Sequence, residues 1–226
     1  AHSVIQQSDG KLVVAGNSSM SGAMSFAVVR YNSNGSLDTS FDGDGKATTA
    51  IGSSSNYGMS VIQQADGKLV VAGYSSINVY DDFSLVRYNS NGSLDATFNG
   101  TGKLTTGIGA TVDRAYSVIQ QVDGKLVAAG SSSTGGSDDF ALVRYNSDGS
   151  LDTAFNGTGK LTTDIGTAND IARTAIQQAD GKLVAAGYSN NGGNDDFALV
   201  RYNSNGSLDT TLNGSGKLTM TIGAND

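Results

Sequence analysis

The chain has 226 residues, 38% of them hydrophobic and 15% charged, with 31 Gly and neither Pro nor Cys. Its net charge of −7 and pI near 4.5 disfavour a phosphate backbone or an anionic membrane surface as partner. Without Cys there are no disulfides, no thiolate chemistry and no Cys-ligated metals. No apolar run approaches the roughly 18 residues that cross a bilayer as a helix. The opening AHSVIQQ lacks the basic region and apolar core of a signal peptide. Neither nucleic-acid binding nor membrane insertion is expected.

In chain order, the first element is SVIQQSDGKLVVAG from Ser3. It returns as SVIQQADGKLVVAG from Ser60, SVIQQVDGKLVAAG from Ser117 and TAIQQADGKLVAAG from Thr174, a step of 57 residues each time. A period this strict defines repeats 1–57, 58–114, 115–171 and 172–226 within one domain, 1–226, and leaves no room for a separate catalytic domain.

Each copy opens with a half-apolar run, SVIQQ. A turn such as Asp66-Gly67-Lys68 follows, then the more continuously apolar LVVAG, which together read as a β-hairpin. After a Ser/Gly/Asn-rich loop comes DDFSLVRYN from Asp81, or DDFALVRYN from Asp138 and Asp195, whose alternation predicts a third strand. The SNGS and SDGS stretches behind it predict tight turns with both central residues at positive φ. Then LDATFNGTGKLTTGIG from Leu94 carries a second turn at Asn99-Gly100, and either LDATF or KLTT supplies a fourth strand. No segment has helical periodicity, and without Pro central strands are unobstructed. The expected fold is all-β, a β-propeller built from four tandem 57-residue, four-stranded antiparallel blades; the alternative is half of an eight-bladed ring formed by two chains.

The run DFALVRYNSNGSLDTTLNGSGKLTMTIG from Asp196, joined cyclically to SVIQQADGKLVVAG, resembles the bacterial delta-60 repeat. The QQxDGKLVxAG hairpin, the DFxLVRYN strand and the GSLD turn carry the resemblance, over essentially the whole chain. It implies propeller blades of a secreted or cell-surface bacterial protein and brings no catalytic motif with it. Two end copies depart from the pattern: the first has Met24-Ser25-Phe26 where the others have Asp-Asp-Phe, and the fourth has Leu212 in place of Phe41, Phe98 and Phe155.

Repetition separates the needs of the blade from those of an asymmetric site. Arg30, Arg87, Arg144 and Arg201 recur with Asp38, Asp95, Asp152 and Asp209, as structural ties around the GSLD turn should. The loops that vary are NSSMSGAMS from Asn17, YSSINVYDD from Tyr74, SSSTGGSDD from Ser131 and YSNNGGNDD from Tyr188, with SSSNYGM from Ser53, ATVDRAY from Ala110 and TANDIAR from Thr167. They should share one face. Tyr57, Asn78, Tyr80, Asp113, Arg114 and Tyr116 are its best contacts for a glycan or protein ligand, because Tyr gives amphipathic area and Asn or Asp directional hydrogen bonds.

Asp81/Asp82, Asp138/Asp139 and Asp195/Asp196 pair carboxylates, which a glycosidase or a Ca²⁺ site can use, but their triplication favours a role in starting the strand. FDGDGK from Phe41 spaces Asp42 and Asp44 like the opening of a Ca²⁺ loop yet lacks the later ligands, so it reads as a turn. His2 is the only histidine, which nearly excludes a Ser/His/Asp triad or a His-based metal centre. The expectation is therefore a non-catalytic binding module with no cofactor or metal. A structural module that self-associates through ring closure or assembly comes second, and a carboxylate hydrolase third.

Overall fold

The computed structural model describes residues 1–20, 22–52, 54–77, 79–133, 136–191 and 193–221. The first copy forms β1 (Ser3–Gln6), β2 (Leu12–Met20), β3 (Ala23–Tyr31) and β4 (Lys46–Thr49). The second forms β5 (Asn56–Gln63), β6 (Leu69–Ile77), β7 (Tyr80–Tyr88) and β8 (Lys103–Thr106). The third forms β9 (Asp113–Gln120), β10 (Leu126–Ser133), β11 (Asp138–Tyr145) and β12 (Lys160–Thr163). The fourth forms β13 (Asp170–Gln177), β14 (Leu183–Asn190), β15 (Asp195–Tyr202) and β16 (Lys217–Met220). Each copy is one antiparallel meander of four strands in chain order, and no helix occurs among the described residues.

The fourth strand is KLTT. LDATF instead forms the turn before it, held to the third strand by single bridges such as Tyr88 to Leu94. The hairpin turns close as their sequences require: Gln64 N donates to Lys68 O at 2.8 Å, with Gly67 at φ 83. The NSNGS turn differs from expectation. Only its glycine has positive φ, because Asn34 instead spends its carboxamide oxygen on the Ser36 amide and hydroxyl, at 3.0 and 2.7 Å. At the second Asn-Gly both residues do lie left-handed, Asn99 at φ 50 and Gly100 at φ 73.

By packing, the chain divides into two compact units, residues 1–107 and 108–226, each holding two blades. Period-2 alternation gives every sheet a front face, lined in the second blade by Val61, Val71, Val86 and Tyr88, and a back face, lined in the first by Ala15, Phe26, Val28 and Ala47. In the first unit these two faces meet in one apolar core with Phe41. In the second unit the back of the third blade, with Ala129, Phe140 and Leu142, meets the front of the fourth, with Ala175, Ala185 and Val200. One tyrosine hydroxyl crosses each interface: Tyr88 donates to Thr49 Oγ1 and Tyr202 to Thr163 Oγ1, both at 2.8 Å. Burial pushes the pKa of both phenols upward, partly offset by the threonine.

Candidate functional site

The recurrent charges are structural. Arg30, Arg87, Arg144 and Arg201 each donate Nε–H to Asp38, Asp95, Asp152 and Asp209 at 2.7 Å. Lys11, Lys68, Lys125 and Lys182 add a second cation to the same carboxylates at 3.1–3.4 Å. Three of the guanidinium groups also lie over Phe41, Phe98 and Phe155, at 4.5–4.7 Å. Within each unit the arginine also ties one blade to the next: Arg30 Nη1 donates to Ser90 O at 2.6 Å and Arg144 Nη1 to Ser204 O at 2.5 Å. Burial works to raise the Asp95 pKa, but the hydrogen bonds from Thr97 and the charge of Arg87 outweigh it and hold the group at about 2. Hydroxyl hydrogen bonds, from Ser40 and Thr211 respectively, are the largest influence lowering Asp38 and Asp209.

The residues expected as ligand contacts are not all in loops. Asn78 lies outside the described residues. Tyr80 opens β7 and is 46% exposed. Tyr57, Asp113, Arg114 and Tyr116 were assigned to loops but belong to first strands, because β5 and β9 extend several residues beyond the SVIQ core. Tyr57 stacks on its cross-strand partner Tyr74, centroids 4.9 Å apart. Asp113 is fully buried and accepts from the amides of Ile108 and Gly109, at 2.7 and 3.2 Å, so it holds the preceding loop and presents no surface contact. The Arg114 charge acts on Asp138, whose pKa nevertheless rises because burial is the larger effect.

Each long first strand carries a β-bulge, and the residue the ladder skips is Met59, Tyr116 and Arg173 in turn. A bulge re-aims its side chain. In the second unit this sets the Arg173 guanidinium over Tyr116 at 4.4 Å and over Tyr188 at 5.5 Å. The glycine opposite the bulge is obligatory, since a Cβ on Gly130 would overlap the Arg114 carbonyl. Arg173 and Tyr188 were missed as site residues. The signal was there, because Arg173 stands one period after Tyr116 and Tyr188 two periods after Tyr74.

Apolar residues lie open on the fourth blade and on the first. On the back of the fourth blade Phe197 is 66% exposed, whereas Phe26, Phe83 and Phe140 at the same position are 0% exposed. With Arg173, Thr174, Ala186, Tyr188, Leu199 and Met220 it lines a groove of about 560 Å³. On the front of the first blade Val4 is 62% exposed, whereas Val61 and Val118 are 2% exposed. Each open face therefore repeats one half of a contact that is closed inside a unit.

Each pair of carboxylates occupies consecutive positions on a third strand. Neighbours on a strand point to opposite faces. Ser76 Oγ donates to Asp81 at 2.6 Å, and Asn190 and Asn191 donate to Asp195 and Asp196 at 2.9 and 3.3 Å. Asp42 sits at φ 50 like its counterparts Asn99, Asn156 and Asn213, and Asp44 accepts from the Lys46 amide at 2.9 Å, both as turn residues. His2 Nε2 lies 3.1 Å from Asn17 Oδ1 at the exposed terminus. Among the described residues one trio of acidic groups, Asp139, Asp164 and Asp170, brings ligand oxygens within 4.8 Å of one another.

The repeat matches the family described as "Domain of unknown function (DUF5122) beta-propeller" at residues 7–41, 64–98, 121–155 and 178–212. These segments make up more than half of the chain, and the chain belongs to that family. A comparison with curated proteins finds no match. Among solved structures, one described as a new family of polysaccharide lyase, an ulvan lyase, aligns at 9% identity with a TM-score of 0.38. The alignment covers 96% of this chain and 56% of that one, so the chain spans little more than half the length of the structure it matches.

Proposed function

We propose that this member of the β-propeller repeat family is a non-catalytic assembly module whose two end faces bind a second copy of the same chain. The observation that carries the reading is the exposure of Phe197 and Val4 at positions buried in the other blades. Burying a Phe side chain of this kind contributes about 1.5–3 kcal/mol, and each end offers several apolar residues besides. The occupant follows from the repeat: the back of a third blade accepts the front of a fourth, so the back of a fourth blade fits the front of a first. Such a contact is head-to-tail, and it either closes or continues as an array. Closure at two copies gives the eight-bladed ring.

The absence of catalysis is supported by the division of each Asp pair between two sheet faces. The delta-60 resemblance supports a setting in a secreted or cell-surface bacterial protein. A second reading, recognition of a glycan or protein, is favoured by one observation, the stacking of Arg173 on Tyr116 and Tyr188 beside an apolar groove.

Light scattering coupled to size exclusion tests the assembly. The expected mass is twice the chain mass of 23.0 kDa or more, reverting to a single chain in Phe197→Glu with its circular dichroism unchanged. A wild-type chain that is monomeric at every concentration overturns the proposal. A glycan or peptide retained by that monomer and lost in Arg173→Ala would establish the second reading in its place.

A further inference from the structure

The loop joining the third blade to the fourth differs from its two counterparts in charge. At three equivalent positions the first junction has Ser25, Ala50 and Asn56, the second Asp82, Gly107 and Asp113, and the third Asp139, Asp164 and Asp170. The blade itself does not require three carboxylates there, because the first junction has none and the second has two. Asp139 lies on β11, Asp164 directly follows β12, and Asp170 opens β13. Antiparallel pairing and the connecting loop bring their ligand oxygens within 4.8 Å of one another.

A second observation points into the cluster. Asp170 is fully buried, and its Oδ2 accepts from the amides of Ile165 and Gly166 at 2.6 and 3.1 Å, while its Oδ1 is buried with no hydrogen-bond partner. Its counterpart Asp113 engages both oxygens with the Ile108 and Gly109 amides. An unpartnered buried carboxylate oxygen costs stability unless something positive reaches it. The Lys217 ammonium donates to the Asp164 backbone carbonyl at 2.6 Å.

We propose that Asp139, Asp164 and Asp170 form a Ca²⁺ site that pins the loop between the third and fourth blades. Ca²⁺ takes oxygen ligands at about 2.3–2.6 Å, so two ligands on opposite sides of one ion stand about 4.6–5.2 Å apart. The oxygens of the trio lie no farther apart than that span allows, and Asp164 is exposed, which gives an ion and its remaining waters access from solvent. Three protein carboxylates with no enclosing cage correspond to weak binding, with Kd of about 10⁻⁴–10⁻³ M.

The test is calorimetric titration of CaCl₂ into the chelator-treated chain, paired with thermal melting in CaCl₂ and in chelator. Expected are one site per chain, a higher Tm with Ca²⁺, and at least tenfold weaker binding in Asp164→Asn and Asp139→Asn. Asp164 is exposed and its counterparts are Ala50 and Gly107, so Asp164→Asn folds and keeps the test valid even if Asp170→Asn does not. Asp44→Asn serves as the control and leaves the titration unchanged. A wild type that gives neither heat nor a Tm shift overturns the proposal, as does binding that survives in Asp164→Asn or disappears in Asp44→Asn.

Discussion

Strands β11 and β15 have the same eight residues, DDFALVRY, and different surroundings. In β11 both faces are buried from Phe140 onward. In β15 the front residues Ala198, Val200 and Tyr202 are buried while the back residues Phe197, Leu199 and Arg201 are partly or largely open. Identical local sequence therefore fixes strand, register and facing, and the neighbouring blade decides what the facing contributes. The phenylalanine that forms core in one copy is open in the other.

Substitutions in these two strands give the sharpest tests of the difference. Phe140→Ala should lower the stability of the chain by about 3–5 kcal/mol in equilibrium denaturation, the cost of a cavity in a closed core. Phe197→Ala should change the dissociated chain by less than about 1 kcal/mol and act on association instead. Equal losses at the two sites would break the comparison. Arg144→Ala should cost about 1.5–3 kcal/mol, because the buried Asp152 carboxylate loses a charged hydrogen bond while keeping Lys125. Arg201→Ala should cost clearly less: its side chain is 21% exposed against 7% for Arg144, and Leu212 stands where Phe155 lies under Arg144.

A smaller loss, about 1 kcal/mol, is expected for Tyr202→Phe, which removes the hydroxyl that crosses to Thr163 on the closed face of β15. The acid response should be the mildest effect per residue. Asp95 is held at about 2 in the folded chain, against about 3.9 unfolded. Its contribution is thus complete above the unfolded value and is lost as pH falls from about 4 through about 2. Denaturation midpoints measured against pH should fall over that window, less steeply in Asp95→Asn.

The meander of each blade was legible in the sequence because two signals agreed in every copy, period-2 alternation in DDFALVRYN and Gly-containing turns at fixed offsets. The choice between LDATF and KLTT was not, since both are short half-polar runs and pairing with the third strand decides between them. The NSNGS turn misled because Asn can either adopt positive φ or use its side chain as an acceptor, and Ser36 makes the second course available. Tyr57, Asp113, Arg114 and Tyr116 were placed in loops because polar residues interrupt the alternation. A bulge at Met59, Tyr116 and Arg173 breaks the same alternation inside a continuous strand. The acidic trio was invisible locally, as its members are up to 31 residues apart and only blade pairing assembles them.

The assembly claim rests on the fit of a fourth blade's back to a first blade's front, and cysteine pairing tests that fit directly. Inside the first unit the Val61 amide donates to Ser3 Oγ at 3.2 Å. One period earlier Val61 corresponds to Val4, and three periods later Ser3 corresponds to Thr174. The chain has no cysteine of its own, so Val4→Cys and Thr174→Cys prepared as separate single variants give an unambiguous readout. A disulfide-linked dimer is expected on mild oxidation of the mixture, and little in either variant alone. No bond in the mixture, or equal bonding in each variant alone, would contradict it.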